Sequence, residues 1–379
     1  MILMLKTLIK LIIYYFIDLL VKPSREIKPN SLLLIRLDAI GDFVMFRNFI
    51  KELTHSKKYK DYKITLLGNS VWKSLVQEFD SGFIDNFIWI DRDKFAKNFL
   101  YRYKKLQEIV SVGYDIVLSP VFSREYFIND NIVKLINSKE KIGSIGDTSN
   151  MLKWQKNISD KYYDVLISGK DEIMFEFLRN KEFFENFLHI KLDIKKPSIK
   201  LKPKELPFKL PKRYAILFIG ANASFRKWSI ERFAKVGMWL KEKYGYEVVL
   251  CGAPSDSQEA AEFPKYFDGD YVDLVGETSL VDMLYVICNG NMMISNETSI
   301  PHLAVALEMK NIFVISNGNH FGRFTPYPKK VCENYHVIYH PKIEKDLGDY
   351  EKLSDSFGNG STLDINLIRV DSVKKKLKR

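Results

Sequence analysis

The chain has 379 residues and a formal net charge of +11, with 46% hydrophobic residues. This length suits two ordinary domains, each with a real core. The basic residues are dispersed, which argues against a dedicated nucleic-acid groove and suits a phosphorylated substrate or an anionic membrane surface. Cys251, Cys288 and Cys332 are too few and too far apart for a disulfide framework or a zinc knuckle, and they indicate a reducing compartment.

Residues 1–22 predict an amphipathic helix. Its polar residues fall on one arc of the helix, and the rest of the surface is apolar. The arc consists of Lys6, Thr7, Lys10, Tyr14 and Asp18. The longest uncharged run, residues 11–17, is too short to span a bilayer, so we expect a helix that lies on a membrane surface. A helix packed on the protein itself is the alternative, and a signal peptide is disfavoured because no small-residue cleavage site follows.

Residues 30–194 alternate short apolar runs with helical patterns, which is typical of a parallel α/β sheet. The predicted strands are 32–37, 63–67, 86–90 and 114–118, and the predicted helices are 42–57, 71–79, 95–110 and 171–188. Residues 142–170 give mixed signals. Four prolines among lysines then predict an extended linker over residues 195–212.

A second α/β series occupies residues 213–330. Its predicted strands are 214–219, 247–251, 292–295 and 311–316, and its predicted helices are 229–244, 280–289 and 300–307. The C-terminal extension, 331–379, reads as polar loop up to Ser361 and as a closing helix from Val370. The chain therefore predicts two doubly wound domains in tandem, with a ligand cleft between them.

Residues 32–42 read as a buried strand, a tight turn and the start of a helix. Gly41 permits either a turn conformation or a close backbone approach. Asp42 follows the carboxyl end of the strand, where open α/β sheets place their ligands. Its carboxylate suits a helix N-cap, a general base or both.

Five segments resemble, in order, those of the family 9 glycosyltransferases, the lipopolysaccharide heptosyltransferases. They are Ile35–Asp42, Gly220–Phe233 with its Lys-Trp pair, Leu250–Asp256, Asp273–Leu280 and Ser295–Ala304. The resemblance implies a GT-B fold, in which two Rossmann-like domains face a central cleft. It assigns the acceptor to residues 30–194 and the nucleotide sugar to residues 213–330.

The resemblance also implies an inverting, metal-independent transfer without a cofactor. The donor would be an ADP-linked sugar, and the acceptor a lipopolysaccharide, lipooligosaccharide or other surface glycan. Two departures mark a divergent subgroup. Glu297-Thr298-Ser299 stands where the family commonly has Asp-Thr-Gly or Asp-Ser-Gly, and Ser229 replaces a usual proline. Heptose, the sugar of the family, is therefore one candidate among others.

The resemblance assigns Asp42 as the catalytic base and places the donor diphosphate on the second domain. We expect Arg226, rather than Lys227, to supply a cation; a solvated basic loop is the alternative. The remaining donor-site candidates are Asn222, Ser224, Asp256, Glu277, Glu297, Thr298, Ser299 and His302.

These candidates have different expected roles. Thr298 and Ser299 would bind phosphate, and Glu297 sugar hydroxyls, with helix capping as the alternative for all three. His302 would contact phosphate or form a core hydrogen bond, and Asp256 and Glu277 would contact ribose or base.

Several other functions compete with this interpretation. Asp91-Arg92-Asp93 spells a metal-binding D-x-D motif, but we predict loop and cap residues there. A GT-B sugar-nucleotide epimerase and a non-catalytic nucleotide-sugar-binding scaffold are the alternatives to a transferase. No Gly-x-Gly-x-x-Gly follows a predicted strand, which disfavours a dehydrogenase. We expect a cytoplasmic enzyme, peripheral on the inner face of the cytoplasmic membrane, whose basic end at 374–379 is solvated or near lipid headgroups.

Overall fold

The computed structural model describes residues 2–378, and within the first helix it describes the side chains of Thr7 and of residues from Ile9 onward. Met1, Arg379 and the side chain of Lys6, which belong to the predicted amphipathic helix and basic end, lie outside the described residues. The chain divides into two units by its internal contacts. The first comprises residues 1–39, 49–170 and 179–192, and the second comprises residues 40–48, 171–178 and 193–379.

The first unit contains a six-stranded parallel sheet. Its strands are β1 (Ile27–Arg36), β2 (Lys63–Asn69), β3 (Asn86–Ile90), β4 (Gly113–Ser119), β5 (Ser138–Ser144) and β6 (Val165–Ile167). The spatial order is β3-β2-β1-β4-β5-β6, so the sheet starts at its centre and is wound in both directions. Residues 32–35 of β1 are fully buried, as their continuous apolar run predicts.

The second unit repeats this arrangement with six further parallel strands. They are β7 (Tyr214–Phe218), β8 (Glu247–Cys251), β9 (Val272–Asp273), β10 (Met292–Asn296), β11 (Ile312–Ser316) and β12 (Tyr335–Tyr339). The order β12-β11-β10-β7-β8-β9 places the topological switch point between β7 and β10. Leu217, Ile294, Trp228 and Phe233 are fully buried in the core of this unit.

The helices cover the sheets. In chain order they are α1 (Ile2–Leu20), α2 (Ile40–Phe46), α3 (Asn48–His55), α4 (Lys73–Phe79), α5 (Arg92–Lys97), α6 (Phe99–Val110), α7 (Asn131–Leu135), α8 (Lys153–Ser159), α9 (Glu176–Leu188), α10 (Ile230–Tyr244), α11 (Ser257–Ala260), α12 (Leu280–Asn289), α13 (Ile300–Ala306), α14 (Pro341–Glu344), α15 (Tyr350–Phe357) and α16 (Val370–Leu377). Among the described residues, none of the helices is long and apolar enough to cross a membrane.

The helix predicted from Asp42 to residue 57 begins earlier and is broken near its middle. It consists of α2 and α3, separated by Arg47. The Arg47 guanidinium donates to the carbonyl of Ser198, and the Asn48 side chain exchanges hydrogen bonds with the same residue. Tertiary bonds to the linker therefore accompany the break. Residues 40–48 pack with the second unit, although the sequence pattern placed them in the first predicted domain, residues 30–194.

The predicted linker is extended, but residues 198–204 of it are bound to the rest of the second unit. Ile199 donates its N–H to the carbonyl of Ala306 at 2.8 Å, and Tyr285 donates its hydroxyl to the carbonyl of Lys202 at 2.8 Å. Lys204 forms an ion pair with Asp282 at 2.7 Å. The segment therefore contributes to the surface of this unit.

Three further predictions of secondary structure are wrong. The helix predicted over residues 95–110 consists of α5 and α6, because Asn98 ends the first and caps the second. Residues 331–361 are not simply loop, because Tyr335–Tyr339 add the sixth strand and α14 and α15 follow. Pairing with β11 buries this short strand. Its run Tyr-His-Val-Ile-Tyr is rich in the β-branched and aromatic residues typical of strands, a local signal that the prediction overlooked. The helix predicted from residue 171 begins only at Glu176.

Candidate functional site

The loops that follow β7 and β10 meet at the switch point of the second sheet. Asn296, the last residue of β10, joins them directly. Its side-chain N–H donates to the carbonyl of Ile219 at 2.6 Å, and its side-chain oxygen accepts from the N–H of Trp228 at 3.0 Å. Because crevices at such switch points bind ligands in open α/β sheets, this is the first place to look for a site.

Glu297 lies directly after β10 and is 5% exposed. It accepts a hydrogen bond from the hydroxyl of Ser316, the last residue of the neighbouring β11. Burial raises the pKa of Glu297 to about 7, although the Ser316 hydrogen bond and the Arg226 charge favour its ionised form. The carboxyl group is therefore partly protonated near neutral pH.

Arg226 approaches the same position from the loop after β7. Its backbone turn closes through an N–H bond to the carbonyl of Ala223 at 3.0 Å, and Asn317 donates to the carbonyl of Phe225 at 3.3 Å. The Nε of Arg226 is buried and has no hydrogen-bond partner within residues 2–378. Buried donors are usually satisfied, so this one is available to an anionic ligand.

Lys227, the neighbouring cation, is used within the protein. Its ammonium group pairs with Asp256 at 2.5 Å and with Glu259 at 3.0 Å. Desolvation is the largest single effect on the pKa of Lys227 and lowers it, but the hydrogen bonds and charges of the two carboxylates together outweigh it and raise the pKa. Asp256 also accepts the N–H of Ala253 at 2.8 Å. A Cβ atom at Gly220 would lie 2.4 Å from Oδ2 of Asp256, so this glycine permits the carboxylate to approach. Lys227 and Asp256 thus tie the loop after β7 to the loop after β8.

The remaining candidates on this unit differ in exposure. Asn222 and Ser224 are exposed in the loop before Arg226, whereas Thr298 and Ser299 are half-buried beside Glu297. Ser299 precedes α13 and makes no capping hydrogen bond with its side chain, which favours a role other than capping. Glu277 lies exposed in the turn after β9, at the edge of the sheet and two strands away from β7.

His302 lies in the first turn of α13 and is buried. Its Nδ1 is hydrogen-bonded to the hydroxyl of Tyr327 at 2.8 Å, and burial lowers its pKa to about 4. The imidazole is therefore neutral at physiological pH. Of the two predicted roles, the core hydrogen bond is present in the structure.

The Asp42 turn packs against this same helix. Helix α2 contacts α13, and a Cβ atom at Gly41 would lie 2.9 Å from Cδ2 of His302 and 3.6 Å from Cα of Ser299. Gly41 does not have a positive φ, so close approach is the reason for a glycine here. Asp42 is half-buried in the first turn of α2, not before it, and so the plain N-cap interpretation is wrong. The structure thus brings the predicted base and the predicted donor residues into one unit.

Sequence reasoning missed three residues that complete the site. Ser316 and Asn317 bind Glu297 and the Arg226 turn, and Tyr327 binds His302. The first two could have been found, because they end a predicted strand and start the loop after it. Tyr327 offered no comparable signal.

The D-x-D sequence serves local structure. Asp91 caps α5 by accepting the N–H of Lys94 at 3.0 Å, and Asp93 pairs with Lys97 at 2.9 Å. The prediction of a capping role for Asp91 is confirmed. In the part of the chain that the structure describes, no group of three or more His, Cys, Asp or Glu side chains could hold a metal ion.

Solved structures share the fold of the chain. A family 9 glycosyltransferase from Veillonella parvula is 15% identical, with a TM-score of 0.66, over 94% of this chain and 98% of its own. The E. coli heptosyltransferase WaaC with ADP is 15% identical, with a TM-score of 0.66, over 92% and 99%. E. coli ADP-heptose lipopolysaccharide heptosyltransferase II is 16% identical, with a TM-score of 0.62, over 92% and 97%. The two parallel α/β units therefore form a fold of the GT-B type.

Sequence comparison gives the family. No curated protein sequence matches the chain. Residues 102–352, well over half of it, match the family model described as glycosyltransferase family 9 (heptosyltransferase). The matched range includes every predicted donor residue, whereas Gly41 and Asp42 precede it. The chain is a glycosyltransferase and belongs to glycosyltransferase family 9.

Proposed function

We propose that the protein transfers a sugar from an ADP-linked donor to a surface-glycan acceptor, with inversion at the anomeric carbon and without a metal ion. The observation that carries this proposal is the packing of α2 against α13. It places the Asp42 turn beside Ser299 and His302, in the same unit as Arg226. An ADP donor is supported by two structures of one relative of the same fold: WaaC was solved with ADP and with ADP-2-deoxy-2-fluoro heptose.

Asp42 is the proposed general base. Its carboxylate takes the proton from the acceptor hydroxyl while that oxygen forms a bond to the anomeric carbon. The bond between this carbon and the diphosphate oxygen breaks, and its electron pair leaves with the ADP. Attack from the face opposite the leaving group inverts the configuration. Asp42 is well suited to this role because it is half-buried and follows the end of β1.

Arg226 is the proposed partner of the leaving diphosphate. A guanidinium group donates several hydrogen bonds in one plane and suits phosphate oxygens. Its buried Nε lacks a protein partner in the described chain, whereas the ammonium of Lys227 already has two. The hydroxyls of Thr298 and Ser299 would add neutral donors. Stabilisation of the departing negative charge by these groups replaces the metal ion that other glycosyltransferases use.

Glu297 is suited to the donor sugar and not to its phosphates. A fully ionised carboxylate would repel a diphosphate, but the raised pKa of Glu297 reduces its charge at neutral pH. A partly protonated carboxyl can both donate to and accept from a sugar hydroxyl. Neutral His302 sets the position of α2 through its contact with Gly41. We propose that the first unit binds the acceptor, a lipopolysaccharide or lipooligosaccharide precursor.

The proposal is tested by donor binding followed by transfer. Purified full-length protein is heated with ADP-, GDP-, UDP- and CMP-sugars, and we expect the ADP-sugars to raise its melting temperature most. Transfer to acceptor glycolipid is then followed by release of ADP and by NMR of the new anomeric linkage. No shift with any nucleotide sugar would favour the scaffold alternative. Conversion of a nucleotide sugar to its epimer without an acceptor would favour the epimerase.

A further inference from the structure

Helix α1 presents an unusual surface to its surroundings. Six large apolar side chains on its described part are each between 48% and 63% exposed. They are Ile9, Ile12, Tyr15, Phe16, Leu19 and Leu20. Single exposed apolar residues are common on proteins, but a contiguous row of this size marks an interaction surface. We call these six residues the outer face of α1.

Two polar residues of the same helix, Tyr14 and Asp18, are turned inward. Asp18 accepts from the side chain of Asn131 at 2.8 Å and pairs with Lys134 at 3.1 Å. The Tyr14 hydroxyl donates to the carbonyl of Ala96 at 2.8 Å, and the buried guanidinium of Arg102 stacks on the Tyr14 ring at 3.6 Å. Rolling the helix to hide its outer face would break all of these contacts. The outward orientation of the apolar side chains is therefore fixed by the first unit.

The neighbouring helix α6 adds two exposed apolar residues beside α1. Phe99 and Leu100, the first two residues of α6, are 48% and 62% exposed. The Phe99 ring packs edge-on against Tyr14 at a centroid distance of 6.5 Å. The surface is thus built from two helices of one unit and includes both aliphatic and aromatic side chains. Such a mixture suits the boundary between lipid headgroups and acyl chains.

The charges nearby favour an anionic partner. Lys22, Arg25 and Lys28 follow α1 and are exposed, and Glu26 is the single acidic residue among them. The whole chain carries a formal charge of +11. A second copy of the chain would bring this positive charge against itself, whereas an anionic bilayer attracts it.

We infer that the outer face of α1, with Phe99 and Leu100, inserts into the headgroup region of an anionic membrane. In this arrangement α1 lies in the plane of the membrane, with Tyr14 and Asp18 against the first unit and its apolar side chains in lipid. This surface belongs to the first unit, whereas the proposed catalytic residues belong to the second, and it does not depend on the chemistry proposed for them. It would hold the enzyme at the surface from which a lipid-linked acceptor is reached.

The experiment is co-sedimentation of the full-length protein with vesicles. Vesicles of phosphatidylethanolamine with phosphatidylglycerol are compared with vesicles of phosphatidylcholine alone. The test variant combines Phe16→Gln with Leu20→Gln, and the matched control combines Val71→Gln with Leu367→Gln, two exposed apolar residues away from α1. We expect the test variant to bind the anionic vesicles about tenfold more weakly or worse, because two apolar side chains no longer enter the lipid. The control and the protein without substitutions should bind alike.

Three further readouts complete the experiment. Melting temperature and stabilisation by ADP-sugars should be unchanged in the test variant, so that a failure of the proposed chemistry is distinguished from a failure of this inference. Equal binding of the test variant and the control to anionic vesicles would overturn the inference. The inference would also be overturned if the unaltered protein formed a dimer without lipid and the test variant were a monomer. In that case a second copy of the chain, and not a membrane, would cover the outer face of α1.

Discussion

Gly41 lies directly against the imidazole ring of His302. A Cβ atom at position 41 would come within 2.9 Å of Cδ2 of His302, closer than Cβ atoms approach in practice. His302 is buried and hydrogen-bonded to Tyr327, so it has little freedom to move aside. Through this contact the turn that carries Asp42 is held at a fixed position against the helix that begins after Ser299.

Replacing Gly41 by alanine should therefore disturb the site without removing a functional group. The added methyl group overpacks the contact with His302, which typically costs about 1–3 kcal/mol. We expect Gly41→Ala to lower both the melting temperature and the rate of transfer. Gly348→Ala is the matched control, because a Cβ atom there meets nothing within 4 Å. Unchanged activity in Gly41→Ala would show that the position of α2 is not critical.

The two neighbouring cations should respond differently to substitution. Arg226→Met removes the proposed diphosphate contact, and we expect affinity for ADP to fall by about ten- to a hundredfold, as for loss of a charged hydrogen bond. Isothermal titration with ADP measures this change. The melting temperature of Arg226→Met should remain close to that of the unaltered protein.

Lys227→Met should mainly affect stability. It leaves the buried carboxylate of Asp256 without its ion-pair partner, which typically costs about 3 kcal/mol. Lys235→Met, which removes an exposed ion pair on α10, serves as the control and should change neither property. A reversal of the two effects, with Lys227 controlling ADP affinity and Arg226 stability, would exchange their assigned roles.

Glu297 should make the stability of the protein depend on pH. Because its folded-state pKa is raised from 4.5 to about 7, the folded state holds this proton more tightly than the unfolded chain does. The resulting stabilisation is complete below about pH 4.5 and is lost as the pH rises through about 7. Glu297→Gln keeps a neutral side chain at every pH.

Denaturant unfolding at pH 5 and pH 8 tests this dependence. The free energy of unfolding of Glu297→Gln, relative to that of the unaltered protein, should be higher at pH 8 than at pH 5 by up to about 3 kcal/mol. A stability difference that is the same at both pH values would mean that Glu297 is ionised in the folded protein throughout. Glu344→Gln, at an exposed position on α14, controls for the general effect of removing a negative charge.

Local patterns in the sequence were enough to predict the central elements of the site. Runs of apolar residues followed by turn residues predicted β1, β7 and β10, and the residues after them proved to lie at the carboxyl ends of central strands. What the sequence could not provide was which polar groups satisfy one another. Lys227 and Asp256 are 29 residues apart, and only the fold reveals that they pair and leave Arg226 as the available cation.

The same limit applies to the N-terminal helix. The amphipathic pattern predicted α1, but Asp18 turns inward because its partners Asn131 and Lys134 lie more than a hundred residues away. Strand β12 is a different case, because its run Tyr-His-Val-Ile-Tyr has the composition of a strand and the prediction of a polar tail overlooked it. Only the inward turn of α1 depends on tertiary contacts that have no local signature.

The central claim, that Asp42 is the base of a sugar transfer from an ADP-linked donor, is tested most directly by Asp42→Asn. The amide keeps the size and polarity of the side chain but cannot take the acceptor proton. We predict normal folding, donor-induced stabilisation close to that of the unaltered protein, and turnover lower by about 10²–10⁴-fold. Asp93→Asn, at an exposed ion pair on α5, should retain full turnover. Near-normal release of ADP and formation of product by Asp42→Asn would contradict the account.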